Sequence, residues 1–309
     1  MLLFHDPQCA NYGSSMRPEQ PARVTRSVAH LRAAHPTWEF RVPPPAASIS
    51  DTTLLRAHTS AHLRRLAQPR DFDADTPFFP DIADHARRAV SAAIAAAEHA
   101  FATRAPAFAL MRPPGHHATA DTAMGFCYLN SIALAALHAH HQLGARRVAI
   151  WDFDAHHGNG TEAILAAQLH SGPASNSPFF FASVHQSPCY PGTGLADITP
   201  HIRNWPVPPR APRVQHLTAL RASLDAVIAF APDLILVSAG FDAYVGDPIT
   251  AMTLERDDFA TLGTWLAETR ARHAIPSAAI LEGGYSPDLP QLIDAFLTAW
   301  AAPVLKNPL

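Results

Sequence analysis

Short continuous apolar runs alternate along this chain with longer stretches whose apolar residues recur at helical spacing. The runs Ala107–Met111, Val148–Ile150, Phe179–Val184, Asp233–Val237 and Ser277–Leu281 are too short for helices and predict buried strands. The unbroken D-L-I-L-V of 233–237 marks a strand covered on both faces, as in a parallel sheet. Alanine-rich Ile82–Phe101, the segment from Gly125 to about Gly144, the stretch from Thr161, and His216–Phe230, Glu255–Arg272 and Leu289–Trp300 predict helices. Near the N-terminus, Pro18 and Glu19 predict the opening of a helix carrying Val24, Val28 and Leu31 on one face, with Arg17 and Arg23 as surface charges. Asp51–Leu66 predicts a short helical hairpin. Residues 42–47 and 200–213, the latter with five prolines, predict loops. In the loop Asp71–Pro80, Phe78 and Phe79 either form an exposed rim or tuck into the core; composition leaves both open. The succession of strand, helix and strand predicts an α/β fold, one mostly parallel sheet with helices on both faces, in a single domain over residues 1–309.

In such sheets ligands gather beyond the carboxyl ends of the strands. The stretch Ile150–Thr161 reads I-W-D-F-D-A-H-H-G-N-G-T, directly after an apolar run. Side chains alternate along a strand, so Asp152, Asp154 and His156 are expected on one face. Two carboxylates and an imidazole are costly to bury together without a neutralising charge, and a divalent metal supplies one. Oxygen and nitrogen donors suit Zn²⁺, and three protein ligands leave a position for water or substrate; Fe²⁺ fits the same donors. This stretch offers Asp154 and His156, so a third ligand must come from elsewhere. Asp242, presented after Gly240 in S-A-G-F-D, is the candidate. Gly158 and Gly160 let the chain turn close to the site. The strand over 107–111 runs into R-P-P-G-H-H-A, a rigid loop presenting His116 and His117, which read locally either as site residues or as ordinary polar ones. Further strand ends deliver Ser183 and Tyr285, and a Pro-Gly turn carries Tyr190.

The bulk composition narrows the function without choosing it. The chain has 309 residues, 48% hydrophobic and 16% charged, with net charge −3, as in an ordinary soluble enzyme. No basic footprint points to direct nucleic-acid binding. Cys9, Cys127 and Cys189 are odd in number and far apart, which implies no disulfide framework. The first residues lack a signal-peptide pattern, and no apolar run reaches the roughly 20 residues of a membrane span, so a cytoplasmic protein is expected.

The motifs R-P-P-G-H-H-A, G-F-C-Y-L-N, D-F-D-A-H-H-G-N-G-T, Y-P-G-T-G, S-A-G-F-D and L-E-G-G-Y, with R-P-E-Q-P-A-R before them, occur in one order. Together they resemble the zinc-dependent histone deacetylase family, which includes bacterial histone-deacetylase-like amidohydrolases and acetylpolyamine amidohydrolases; the spellings look like its class II branch. The resemblance implies a three-layer αβα arginase/deacetylase-like fold and one catalytic Zn²⁺ on Asp154, His156 and Asp242. It makes His116 and His117 the tandem pair, with Asp152 beside the first and Asn159 supporting the second. Tyr285 would be the electrophilic tyrosine. Gly125, Phe126 and Tyr190 would shape a narrow tunnel, with Ile249 at its gate and Asp75 at its rim. A structural K⁺ would lie near Asp152, Asp154, His156, Ser183 and Val184. The second-metal positions of the arginases read Gly158 and Tyr244 here, which points to a single metal. The implied reaction is hydrolysis of an N-acyl amine, either an acyl-lysine of a peptide or protein or a small acylated amine such as an acetylpolyamine. A homo-oligomer is compatible with both. A zinc-holding module without turnover is the rival from outside the enzymes.

Overall fold

A computed structural model describes residues 1–168 and 177–303. Eight strands among them form one parallel sheet: β1 Leu2–Phe4, β2 Glu39–Arg41, β3 Ala107–Ala109, β4 Val148–Asp152, β5 Phe179–Gln186, β6 Ile202–Val207, β7 Leu234–Ala239 and β8 Ser277–Leu281. Their order is β2-β1-β3-β8-β7-β4-β5-β6. The helices are α1 Ala22–Ala34, α2 Asp51–Leu54, α3 Ser60–Leu66, α4 Ile82–Thr103, α5 Ser131–Gln142, α6 Asn159–Gln168, α7 Arg213–Ala229, α8 Arg256–His273 and α9 Leu289–Ala301.

Crossovers between parallel strands are right-handed, so the direction of each step along the sheet decides the face its helix covers. Helices α4, α5 and α6 lead one way and pack on one another, whereas α1, α7 and α8 lead the other way, and α9 packs on α8 and α1. The result is the expected three layers. Strand β4 leads outward to β5 while its neighbour β7 leads back to β8. The connections therefore diverge between β4 and β7, and the crevice that this opens lies at their carboxyl ends.

The central strands are buried throughout, as their continuous apolar runs require. Beyond the strand ends, aromatics fix the loops that carry polar groups. Phe153, between Asp152 and Asp154, meets Phe241, just before Asp242, with ring centroids 6.0 Å apart; Phe153 also meets Phe296 of α9 at 5.5 Å. The buried indoles keep hydrogen bonds, Trp151 donating to Ser223 Oγ at 2.9 Å and Trp300 to Ser277 Oγ at 3.2 Å.

Two expectations change, two short strands join the sheet, and one open alternative closes. The proline-rich segment 200–213 contains β6 rather than only a loop; β6 is an edge strand, and among the described residues its exposed Pro206 has no outer neighbour to which an N–H is owed. Strands β1 and β2, three residues each, are too short for a periodicity to reveal. Arg23 is not a surface charge: it is 5% exposed and reaches backbone carbonyls beyond β8. Phe78 and Phe79 are half-buried and pack against the core, with Phe79 5.5 Å from Tyr12.

Helix α8 approaches α9 at Gly263, where a Cβ would overlap the carbonyl oxygen of Phe296. Gly263→Leu is expected to destabilise the protein by about 1–3 kcal/mol or more through overpacking. An unchanged urea midpoint would contradict that close approach.

Candidate active site

Strand β4 ends at Asp152, and the chain then bends through 153–158 before α6 begins at Asn159. Asp154 and His156 are thus brought together with Asp242 by this bend, not by strand alternation, which holds only as far as Asp152. The donor atoms of Asp154, His156 and Asp242 lie within 4.8 Å of one another, and all three residues are buried. His156 Nδ1 is 2.9 Å from Asp242 Oδ2 and 3.2 Å from Asp154 Oδ1. Backbone donors set the carboxylates: Gly283 N–H donates to Asp154 Oδ2 at 2.7 Å, and Ala155 N–H donates to Asp242 Oδ1 at 2.8 Å. A Cβ at Gly240 would overlap the Asp154 carboxylate, so only glycine permits this approach.

These groups fit a metal ion. Two carboxylates and one imidazole converge in a buried space, the donor set of a three-ligand zinc site. Their electrostatics agree. Burial pushes Asp242 up, while Asp154 is held far below the usual carboxylate range, because His116 and His156 outweigh its burial. Burial works against a charge on His156, yet Asp242 and Asp154 draw it well above the usual imidazole value. The cluster attracts positive charge.

The tandem histidines stand apart chemically. His116 Nδ1 lies 3.1 Å from Asp152 Oδ2, and His117 Nδ1 lies 2.8 Å from Asn159 Oδ1. Burial opposes a charge on His116, but Asp154 and Asp152 lift it to about 10. Burial and the neighbouring His116 and His156 push His117 well below the ordinary value. The acid partners thus favour a charge on the first ring, and burial beside two other histidines disfavours one on the second. Because Nδ1 of His117 donates to Asn159, its Nε2 is the basic nitrogen.

A cavity of about 230 Å³ leads to this centre, with His117, His156 and Tyr285 at its base. Phe126 and Tyr190 line it with Gly125, Ile249, Cys189 and Pro18, and Asp75 is exposed at its mouth. Tyr190 packs edge-on to His117 at 5.2 Å, and Phe126 meets Tyr285 at 5.6 Å. A Cβ at Gly125, whose φ is +57°, would collide with the His117 ring, so glycine lets His117 and Tyr190 meet. Ser183 is the register partner of Asp152 on β5, with Val184 next to it; Ser183 Oγ lies 2.9 Å from His185 Nδ1. Tyr244 sits outside the metal cluster, its hydroxyl donating to exposed Asp288 at 3.1 Å.

A histone deacetylase domain matches residues 17–300. The chain belongs to the histone deacetylase family. It is 34% identical over 295 residues to the histone deacetylase-like amidohydrolase of Pseudomonas aeruginosa, covering 91% of this chain and 74% of that protein. The crystal structure of the HDA15 HD domain is similar with a TM-score of 0.84 at 28% identity, over 97% of this chain and 90% of that one. The acetylpolyamine aminohydrolase of Burkholderia pseudomallei is similar with a TM-score of 0.81 at 26% identity, over 98% and 99% of the two chains. This deacetylase-family chain is a hydrolase of amide C–N bonds in N-acyl amines.

Several buried charges around the deacetylase site are not evident from the motifs. Glu19 is 6% exposed and takes two bonds from Arg112, at 2.5 and 2.6 Å. Arg23, 3.3 Å from Glu19, donates to the carbonyls of Glu282 and Gly284 and lies under the Tyr285 ring, 4.7 Å from its centroid. Asp247 accepts the N–H of Tyr285 at 2.8 Å, and burial pushes its carboxyl up to about 7. Glu282 is fully buried. Glu19, Arg112 and Glu282 do lie within the motifs, but a motif shows neither that their charges are buried nor which partners they meet. Cys127 is also buried, and burial pushes its thiol well up, whereas Cys189 lines the cavity.

Burial would raise the Glu19 carboxyl, but Arg112 and Arg23 overcome it and hold it below the usual range. Its contribution to stability is therefore full above the unfolded-state value near 4.3 and is lost as pH falls through the lower folded value. Glu19→Gln should cost about 3–5 kcal/mol at pH 7 by leaving Arg112 unpaired, and the cost should shrink in acid. Urea unfolding of both proteins across pH 3–7 checks this; a pH-independent difference contradicts it.

Proposed function

We propose that this chain is a single-domain, zinc-dependent deacylase acting on the acylated side-chain amine of lysine. The observation that carries the reading is the aromatic-walled cavity of about 230 Å³ whose base holds His117, His156 and Tyr285 together. Its volume suits an unbranched alkyl amine with a small acyl cap. Phe126 and Tyr190 flank the methylene chain, while Asp75 accepts substrate backbone N–H groups at the rim.

Asp154, His156 and Asp242 would hold Zn²⁺, which when bound would supply Lewis acidity toward the acyl carbonyl and a water molecule. His117, neutral and with Nε2 free, takes the proton from the attacking water and later delivers it to the departing amine. His116 keeps its charge beside Asp152 and stabilises the negative charge that develops. The Tyr285 hydroxyl donates to the carbonyl oxygen as that charge grows. Asp152, Asp154, His156, Ser183 and Val184 would hold a K⁺, whose charge would offset the buried carboxylates.

A second reading, hydrolysis of a small acylated polyamine, is supported by the likeness to the Burkholderia acetylpolyamine aminohydrolase over nearly both full chains. Asp73 and Asp75 near Tyr190 add negative charge suited to a cationic substrate. Ile249 at the gate offers such a cation nothing. Measuring kcat/KM on acetyl-, propionyl- and butyryl-lysine peptides beside acetylated polyamines separates the two; a preference for peptides is expected, and a preference for free polyamines overturns the lysine assignment.

Tyr285→Phe should reduce kcat by about 10²–10³, the cost of removing one oxyanion donor, with bound zinc unchanged. Full turnover by that variant would remove Tyr285 from the chemistry.

A further inference from the structure

Glu282 joins two parts of the site that the sequence supplies separately. Its carboxylate Oε2 accepts the N–H of Gly115 at 2.7 Å and of His116 at 3.1 Å. The residue follows β8 directly, is 0% exposed, and its Oε1 accepts no hydrogen bond among the described residues. The next residue, Gly283, donates to the metal-site carboxylate of Asp154, and Tyr285 follows two positions later. Four consecutive residues thus touch the tandem-histidine loop, the metal cluster and the cavity base.

A carboxylate with one oxygen unpaired in a fully buried place is expensive, and an apolar residue would have continued the β8 pattern at lower cost. Burial pushes Glu282 up to about 7, with the charge of His116 and the Gly115 N–H pulling the other way. Stability alone does not account for it.

We propose that Glu282 is a positioning residue for the deacylation reaction: its carboxylate clamps the Gly115–His116 backbone and so sets the spacing between the tandem histidines and Tyr285. The inference rests on the deacylase reading of the site. The two backbone N–H bonds to one carboxylate oxygen fix two successive peptide units, and such bonds are about twice as strong when the acceptor is ionised. The base at His117 Nε2 and the donor at Tyr285 act on one acyl group, so an error in their spacing falls on the transition state rather than on substrate binding.

The test compares Glu282→Gln and Glu282→Ala with wild type, as full-length zinc-loaded proteins. Zinc content, kcat and KM on an acetyl-lysine peptide, and the amide proton shifts of Gly115 and His116 by NMR are measured together. Both variants are expected to hold zinc as wild type does and to keep KM within about twofold. The value of kcat should fall about tenfold or more in the alanine variant and less in the glutamine variant. Both amide protons should move upfield as the charged acceptor is lost. Wild-type kcat in both variants, or a loss confined to KM, overturns the proposal. If the alanine variant does not fold, the isosteric glutamine variant decides alone: unchanged kcat or unchanged amide shifts sink the clamp. Should wild type itself turn over no acyl-lysine peptide, the deacylase reading fails, and the amide shifts still report whether Glu282 holds the loop.

Discussion

The structure depends on placing three carboxylates, Asp152, Asp154 and Asp242, side by side where water does not reach. Ions removed from water cost several kcal/mol each unless compensated, so this cluster dictates what surrounds it. Two histidines stand against it, backbone N–H groups of Ala155 and Gly283 aim at it, and the donor set is shaped for a cation. Much of the remaining architecture holds these groups in place.

The parallel sheet makes such a cluster possible. Strand β4 ends beside β7, and because their connections leave in opposite directions, no crossover among the described residues fills the crevice beyond them. Glycines at 240 and 283 remove side chains where carboxylates must pass. Phe153 and Phe241, adjacent in sequence to the polar residues, point into the aromatic core and keep their loops from shifting. Packing and chemistry are thus divided residue by residue along the same short segments. The histidine pair follows the same logic: one ring is paired with an acid, and the ring beside it is paired with an amide.

Much of this was legible in the chain. The apolar runs gave the central strands, and the polar residues following them gave Asp154, His156, Asp242, His116, His117 and Tyr285 as a converging set. Strand alternation was the wrong reason for Asp154 and His156, because β4 stops at Asp152 and a bend does the rest. The short strands β1 and β2 and the proline-containing β6 escaped notice, since three residues show no period and proline reads as a breaker. Arg23 looked like a surface charge because helical spacing shows which face carries apolar residues, not which charges find buried carbonyls. Glu19, Asp247 and Glu282 were hidden for the same reason: their partners lie far away in sequence, with Arg112 93 positions from Glu19 and His116 166 positions from Glu282.

In the proposed mechanism, one cation on Asp154, His156 and Asp242 drives hydrolysis of the N-acyl bond. The most direct measurement removes metal by chelation and titrates Zn²⁺ back while following turnover of an acetyl-lysine peptide and bound metal together. Activity that is absent without metal and saturates at one equivalent agrees with the account. Turnover that survives complete metal removal, or that requires two equivalents, contradicts it.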